Sequence, residues 1–181
     1  MKTMGNQQVT PINLAWLAGI WDGEGTFAIC RSNRNNRTLK QSTPVFTGRL
    51  TLSNTSETMI DEILRVLSSI GVRVSIWKNP KPRKVNHKRE IHLTINRQED
   101  VIKCCEMLIP YLIVKKERAL TVLEFMKIRS GYKRRVGRDP KTGRLTGVLT
   151  QGYGKDLITL FKKMKVLNQV GIIDGTSETT R

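Results

Sequence analysis

Leu17-Ala18-Gly19-Ile20-Trp21-Asp22-Gly23-Glu24-Gly25 is the stretch on which the reading of this chain turns. It closes an amphipathic helix. Upstream, Thr10-Pro11 joins a capping hydroxyl to a proline at the first helical position, a strong start signal. Leu14, Leu17, Ala18 and Trp21 then recur at helical spacing. Gly23 and Gly25 end the helix around two acids, Asp22 and Glu24. Ala18 and Gly19 are small, so the backbone of a second helix can approach closely there. Two such helices side by side bring two Glu24 carboxylates together.

Downstream the period changes from helix to strand. Thr26 to Arg31 reads as a strand, Ser32 to Thr43 as a polar, basic loop, and Val45 to Asn54 as a second strand. In that second strand Phe46, Leu50 and Leu52 share a face with Gly48, and Thr47, Arg49, Thr51 and Ser53 form the other. Ser56-Glu57 opens a helix whose stripe is Ile60, Ile63, Leu64, Leu67 and Ile70, closed by Gly71. Val72, Val74 and Ile76 alternate with Arg73, Ser75 and Trp77 in a third strand. Ile91, Leu93 and Ile95 alternate with Glu90, His92 and Thr94 in a fourth. Between these two lies the basic, proline-broken run NPKPRKVNHKR from Asn79 to Arg89. Helices are expected over Gln98 to Ile109, Lys115 to Ser130 and Lys155 to Asn168. A glycine-rich stretch from Gly131 to Gly154 reads as a loop or loose hairpin. The order α-β-β-α-β-β-α, with further helices, predicts an α+β fold: a four-stranded sheet backed by helices on one face and open to a partner on the other. Residues 10–170 form one domain in this reading, with tails at 1–9 and 171–181.

The charge says what that partner is. A net +17 on 181 residues calls for a polyanion, nucleic acid or an anionic membrane surface. No apolar run approaches the roughly 18 residues of a spanning helix, and the N-terminus lacks the apolar core of a signal peptide. Three cysteines without CxxC spacing fit a reducing intracellular setting (cytoplasm, nucleoid or organelle matrix) rather than a secreted one; Cys104 and Cys105 read as core packing. The cations are also unevenly spread. Between Gly25 and Ser56, and again between Ile63 and Arg89, there is no acidic residue. Two acid-free blocks within one strand-rich region point to nucleic acid.

LAGIWDGEG resembles the LAGLIDADG motif at every position by identity or conservative change, with Glu24 for the final aspartate. Pro110-Tyr111-Leu112-Ile113-Val114-Lys115-Lys116 is similar to that family's segment leading to its active-site lysine. The resemblance extends through the α-β-β-α-β-β-α order to Ser130 and is to the homing endonucleases with a single motif per chain. It implies a saddle-like antiparallel sheet and a homodimer, because one motif supplies half of an active site. Gly171-Ile-Ile-Asp-Gly175 mimics the motif but has Thr176 in place of the second acid and no room for a second sheet. The implied activity is site-specific cleavage of both strands of a long pseudo-palindromic DNA target by metal-dependent phosphodiester hydrolysis. Mg²⁺, or another divalent cation such as Mn²⁺, is the implied cofactor. Alternatives on the same fold are an RNA maturase assisting intron splicing, which would make RNA the partner, and a non-cleaving DNA-binding regulator.

By the same resemblance Glu24 is a metal ligand, with the Gly23 carbonyl beside it and Asp22 as a further candidate. Carboxylates paired beside phosphodiesters supply the oxygen ligands that hard divalent cations take. Lys115 would polarise a water or stabilise phosphate charge. Asn54 stands where relatives carry a glutamine that positions a water, and no counterpart of a further active-site arginine occurs near Thr58 or Met59. Alternation is expected to place Arg31, Arg49, Thr51, Arg73 and Ser75 on the open face, reading bases. Lys81 and Lys84 in the basic loop would hold phosphates, and Arg34, Thr47, Trp77, His92 and Lys116 complete the expected DNA-binding set. Leu14, Leu17, Ala18, Gly19 and Trp21 are the expected dimer interface. Strands of about 8 residues span ~26 Å at ~3.3 Å per residue, or about 8 base pairs, one half-site.

Overall fold

The first helix begins as its sequence dictates. In the computed structural model, which describes residues 9–36, 41–80, 88–131, 134–138, 145–149 and 154–169, the Thr10 hydroxyl accepts the Asn13 N–H at 3.3 Å. Pro11 opens helix α1 (Pro11–Glu24). Strand β1 (Gly25–Asn36) follows without a break, then β2 (Gln41–Asn54), helix α2 (Glu57–Ser69), β3 (Ser75–Lys78) and β4 (Ile91–Ile95). Helices α3 (Gln98–Leu108) and α4 (Lys116–Ser130), a separate hairpin of β5 (Arg134–Arg138) and β6 (Leu145–Leu149), and helix α5 (Lys155–Gln169) complete the order.

The main sheet has strand order β1-β2-β4-β3, every pair antiparallel. Its apolar face is continuous across strands: Phe27 and Ile29, then Phe46, Leu50 and Leu52, then Ile91, Leu93 and Ile95, all buried. The helices cover that face. Leu17 and Trp21 of α1, Ile63 and Leu67 of α2, Val101 of α3, Phe125 of α4 and Leu157 of α5 belong to the same core. Cys104 and Cys105 are buried in it as expected, and burial pushes the Cys104 thiol up to about 12.

Two glycines have specific reasons to be glycine. Gly71 closes α2 at φ 68°, in the left-handed region, so the chain can reverse and the Val72 N–H can reach the Leu67 carbonyl at 2.9 Å. Gly25 has ordinary dihedrals, but β1 leaves α1 across the Trp21 indole, and a Cβ there would lie 2.3 Å from Trp21 Cδ1. Gly25→Ala is therefore expected to cost about 1–3 kcal/mol through overpacking against a ring that cannot retreat. Chemical denaturation reads this directly, and a variant as stable as the wild type would show that the turn has slack.

Strand boundaries differ from the sequence expectation in two places. The loop expected over Ser32 to Thr43 is mostly strand: β1 continues to Asn36 and β2 starts at Gln41, paired from Ser32↔Val45 to Asn36↔Gln41. These residues are polar at nearly every position and carry no alternation; backbone pairing with the neighbouring strand holds them. Conversely, β3 starts at Ser75 rather than Val72. Val72 is in the core, whereas Ile76 is 54% exposed although its partner Leu93 is fully buried. An edge strand lying partly beyond the helix layer breaks the alternation that its residues display.

Candidate active site

The C-terminus of α1 meets the end of β2 and the 113–115 segment. Glu24, the last helical residue, is exposed, and its Oε2 accepts from Asn54 Nδ2 at the end of β2. The other end of the Asn54 amide accepts the Ser56 N–H at 2.7 Å. Asn54 thus holds Glu24 by one atom and the start of α2 by the other. Glu24 is exposed and forms no ion pair among the described residues.

Asp22 and Lys115 form a reciprocal clasp. Asp22 accepts the backbone N–H groups of Ile113 (2.7 Å), Val114 (3.1 Å) and Lys115 (2.8 Å). Lys115 Nζ reaches back to the carbonyls of Trp21 (3.1 Å), Gly23 (3.3 Å) and Gly25 (2.7 Å). Helix ends leave carbonyls short of intrahelical partners (Trp21 O also accepts the Gly25 N–H), and a cation there suits the helix dipole. Partial burial pushes the Asp22 carboxyl up, but the three N–H groups and the Lys115 ammonium outweigh it and hold the carboxyl below its ordinary 3.8. Burial, aided by the charge of Arg118, lowers the Lys115 ammonium despite Asp22.

This placement corrects the expectation of Asp22 as a metal ligand: its oxygens are occupied by the 113–115 backbone. Asp22→Asn should cost about 1–2 kcal/mol at neutral pH, because solvent reaches Ile113 and Val114 and replaces part of the lost hydrogen bonding. The carboxyl is lowered in the folded state, so its stabilisation is complete above the ordinary value of 3.8 and is lost as pH falls through the lower folded value. The gap between wild type and variant should close in strong acid. Denaturant melts across that range check this, and a constant gap would contradict the clasp.

The expected dimer interface is also corrected. Leu14, Leu17, Ala18 and Trp21 are buried inside this chain, at 7%, 0%, 0% and 0% exposure. Only Gly19 of that set faces outward, and a Cβ there would meet nothing within 4 Å. The free stripe of α1 is the opposite one: Ile12 (78% exposed), Trp16 (37%), Gly19 and Gly23. Apolar residues on both faces of one helix mean that one face serves the chain's own core. The spacing of Ile12, Trp16, Gly19 and Gly23 carried that second stripe in the sequence.

On the open sheet face the register brings together Thr26↔Thr51, Ala28↔Arg49 and Cys30↔Thr47, then Ser53↔His92 and Ser75↔Thr94. Arg49, Ser75 and Trp77 are exposed; Thr47, Thr51 and His92 are half-buried. Ser53 Oγ lies 2.6 Å from His92 Nδ1, Glu90 Oε2 lies 3.4 Å from His92 Nε2, and the Trp77 ring is tilted against the His92 ring at 5.0 Å. Two arginines expected here are elsewhere. Arg31 pairs with Phe46 and shares the parity of Phe27 and Ile29, which assigns it to the helix side. Arg73 precedes β3 and donates to Asp100 (2.9 Å) and Glu99 (3.3 Å) at the start of α3. Asp100 is 3% exposed, and a buried carboxylate outcompetes solvent for a guanidinium. Lys116 is exposed at the start of α4. Arg34 lies in β1 opposite Thr43, where only the backbone is described, and Lys81 and Lys84 fall outside the described residues.

An open antiparallel sheet whose backing helix ends in an exposed acid defines the class of protein. The model of the LAGLIDADG-like domain matches residues 11–108, more than half of the chain, and the chain belongs to the LAGLIDADG family. Solved structures have the same fold at low identity. The homing endonuclease I-CvuI, in complex with its target in the presence of Ca, is 19% identical, with a TM-score of 0.53 over 94% of this chain and 87% of that one. The archaeal intron-encoded homing endonuclease I-Vdi141I, complexed with DNA, is 13% identical, with a TM-score of 0.53 over 94% and 87%. The group I intron-encoded I-CeuI, complexed with DNA, is 15% identical, with a TM-score of 0.52 over 68% of this chain and 58% of that one. No curated protein matches the chain. Among the described residues no helix is long and apolar enough to cross a membrane.

Proposed function

We propose that this protein is a site-specific double-strand DNA endonuclease acting as a homodimer, with Mg²⁺ or another divalent cation such as Mn²⁺ as cofactor. The observation that carries the reading is Glu24: an exposed carboxylate free of ion pairs among the described residues, in a chain of +17, at the end of a helix whose outer stripe is open. No set of three His, Cys, Asp or Glu among the described residues can hold a metal within one chain. Hard divalent cations take six or more oxygens. Packing two copies along Ile12, Trp16, Gly19 and Gly23 brings both Glu24 side chains to the two-fold axis. There Glu24, with the Gly23 carbonyl that also accepts from Lys115 Nζ, would hold a divalent ion beside the phosphates of bound DNA. The ion, when bound, stabilises charge on the attacking and leaving oxygens.

The chain's own residues do the rest. Asn54 orients Glu24, and the Asp22 clasp fixes the backbone from which Lys115 projects. Lys115 supplies positive charge at the helix end, where phosphate charge develops. The open face reads the major groove, with Arg49, Thr51, Ser75, Trp77 and His92 turned toward bases. The β1–β2 ribbon is longer than the 8 residues taken from the sequence: 12 residues in β1 span ~40 Å, or about 12 base pairs per half-site.

Incubating the purified protein with a plasmid carrying the uninterrupted form of its own gene's locus tests the reading. Linear product in Mg²⁺ and none in EDTA is expected. Tight binding without cutting would favour a regulator, and stimulated intron splicing without cutting a maturase. Arg49→Ala should relax preference at one or two base pairs, by about 1–3 kcal/mol each. An unchanged preference profile would remove Arg49 from the reading face.

A further inference from the structure

We infer, resting on the DNA-binding reading above, a second phosphate site outside the sheet's open face, in the cleft between the start of α2 and the flanks of the β3–β4 connection. The cleft holds about 660 Å³, and its lining includes Ser56, Glu57, Thr58, Lys78, Lys88 and Arg89. Three cations thus face one carboxylate. Glu57 is engaged by Lys78 and held below its ordinary value by that hydrogen bond first, with the charge of Arg89 adding to it. Lys88 and Arg89 form no ion pair among the described residues, and both are exposed. Arg65, Arg73, Lys127 and Lys163, by contrast, each lie in an ion pair. With three cations and one acid among its described lining residues, and that acid hydrogen-bonded to Lys78, the cleft carries a net positive charge that suits an anion.

Its position identifies that anion. Asn54 holds Glu24 through its Nδ2 and Ser56 through its Oδ1, so the cleft begins one hydrogen bond from the residue that orients the carboxylate. Lys78 pairs with Ile91, and Ile91 with Asn54, which places the foot of the β3–β4 connection at the same end of the sheet. A duplex lying on the open face with a phosphodiester at Glu24 runs its adjacent backbone past this cleft. The occupant is therefore a DNA backbone phosphate next to the one at Glu24. Arg89 can grip it in bidentate fashion and Lys88 as a point charge. Such a grip positions DNA without reading sequence.

The test is the salt dependence of binding to a short duplex of arbitrary sequence, in EDTA, with the full chain. For Lys88→Ala/Arg89→Ala, the log–log slope of affinity against salt should flatten by about 0.9 for each phosphate no longer neutralised. Lys88→Arg/Arg89→Lys keeps the charge and should keep the slope. Lys103→Ala/Lys162→Ala, on α3 and α5, should match the wild type. If the wild type binds and Lys88→Ala/Arg89→Ala has its slope, or if the helix-face control flattens equally, the cleft is not a phosphate site although the DNA-binding reading stands. A wild type that binds no duplex overturns both.

Discussion

Glu24→Gln should abolish cutting while leaving DNA binding in EDTA intact. The change is nearly isosteric, and the side-chain carbonyl it introduces can still accept Asn54 Nδ2, the partner of Glu24 among the described residues. Glu24 is exposed, so no packing is lost. What disappears is one negative charge per chain, two per dimer. In the proposed dimer a divalent ion beside the two helix ends would then have no anionic protein ligand, and the rate should fall by about 10²-fold or more. Binding should hold or tighten slightly, because a carboxylate near phosphates repels them until the metal arrives. Plasmid cleavage and gel shift on the same purified sample separate three outcomes. Loss of both signals a folding defect, loss of cutting alone supports the mechanism, and cutting at the wild-type rate in Mg²⁺ removes Glu24 from it.

Gly19→Phe should produce a folded monomer that does not cut. Nothing lies within 4 Å of a Cβ at Gly19, so the chain's own fold has room for the ring. Replacing a mid-helix glycine also relieves a helix-propensity penalty of about several tenths of a kcal/mol. Thermal stability of the single chain should therefore be equal or higher, while the close approach of two α1 helices becomes impossible. Light scattering at micromolar concentration should give the dimer mass for the wild type and half of it for the variant. A dimeric variant that cuts normally would place the interface elsewhere. Contrast Leu17→Ala, at a position 0% exposed, which should lower the stability of the chain itself. The two variants discriminate the outer stripe of α1 from the inner one.

The core is legible in the residues wherever one face of an element is buried and the other wet. β4 alternates as written, and the α2 stripe packs through Ile60, Ile63, Leu67 and Ile70, with Val66 buried in addition and Leu64 at its margin. Where both faces are polar, periodicity carries no information, which is why the outer half of the β1–β2 ribbon reads as loop. Where both faces are apolar, periodicity is ambiguous. Helix α1 has this character, and its inner stripe reads as an interface although it faces the chain's own core. Arg31 and Arg73 show the limit for charged side chains. The strand around Arg31 is set by pairing that no local pattern fixes, and Arg73 is drawn to a carboxylate 27 positions away.

From sequence alone came the α+β order, a charge that calls for a polyanion and the acid at the end of a capped helix, while Lys115 and Asn54 as its companions came from the resemblance to the family. The first three follow from local rules: caps, period and charge act within a few residues. It took the folded chain to show that Asp22 is a structural clasp on the 113–115 backbone, that the free stripe of α1 is Ile12, Trp16, Gly19 and Gly23, and that Lys88 and Arg89 converge on the start of α2. Each of these depends on which distant group reaches a carboxylate, a helix face or a cleft first. That competition is settled by packing across the whole core, because a buried or multiply hydrogen-bonded partner offers more than solvent does.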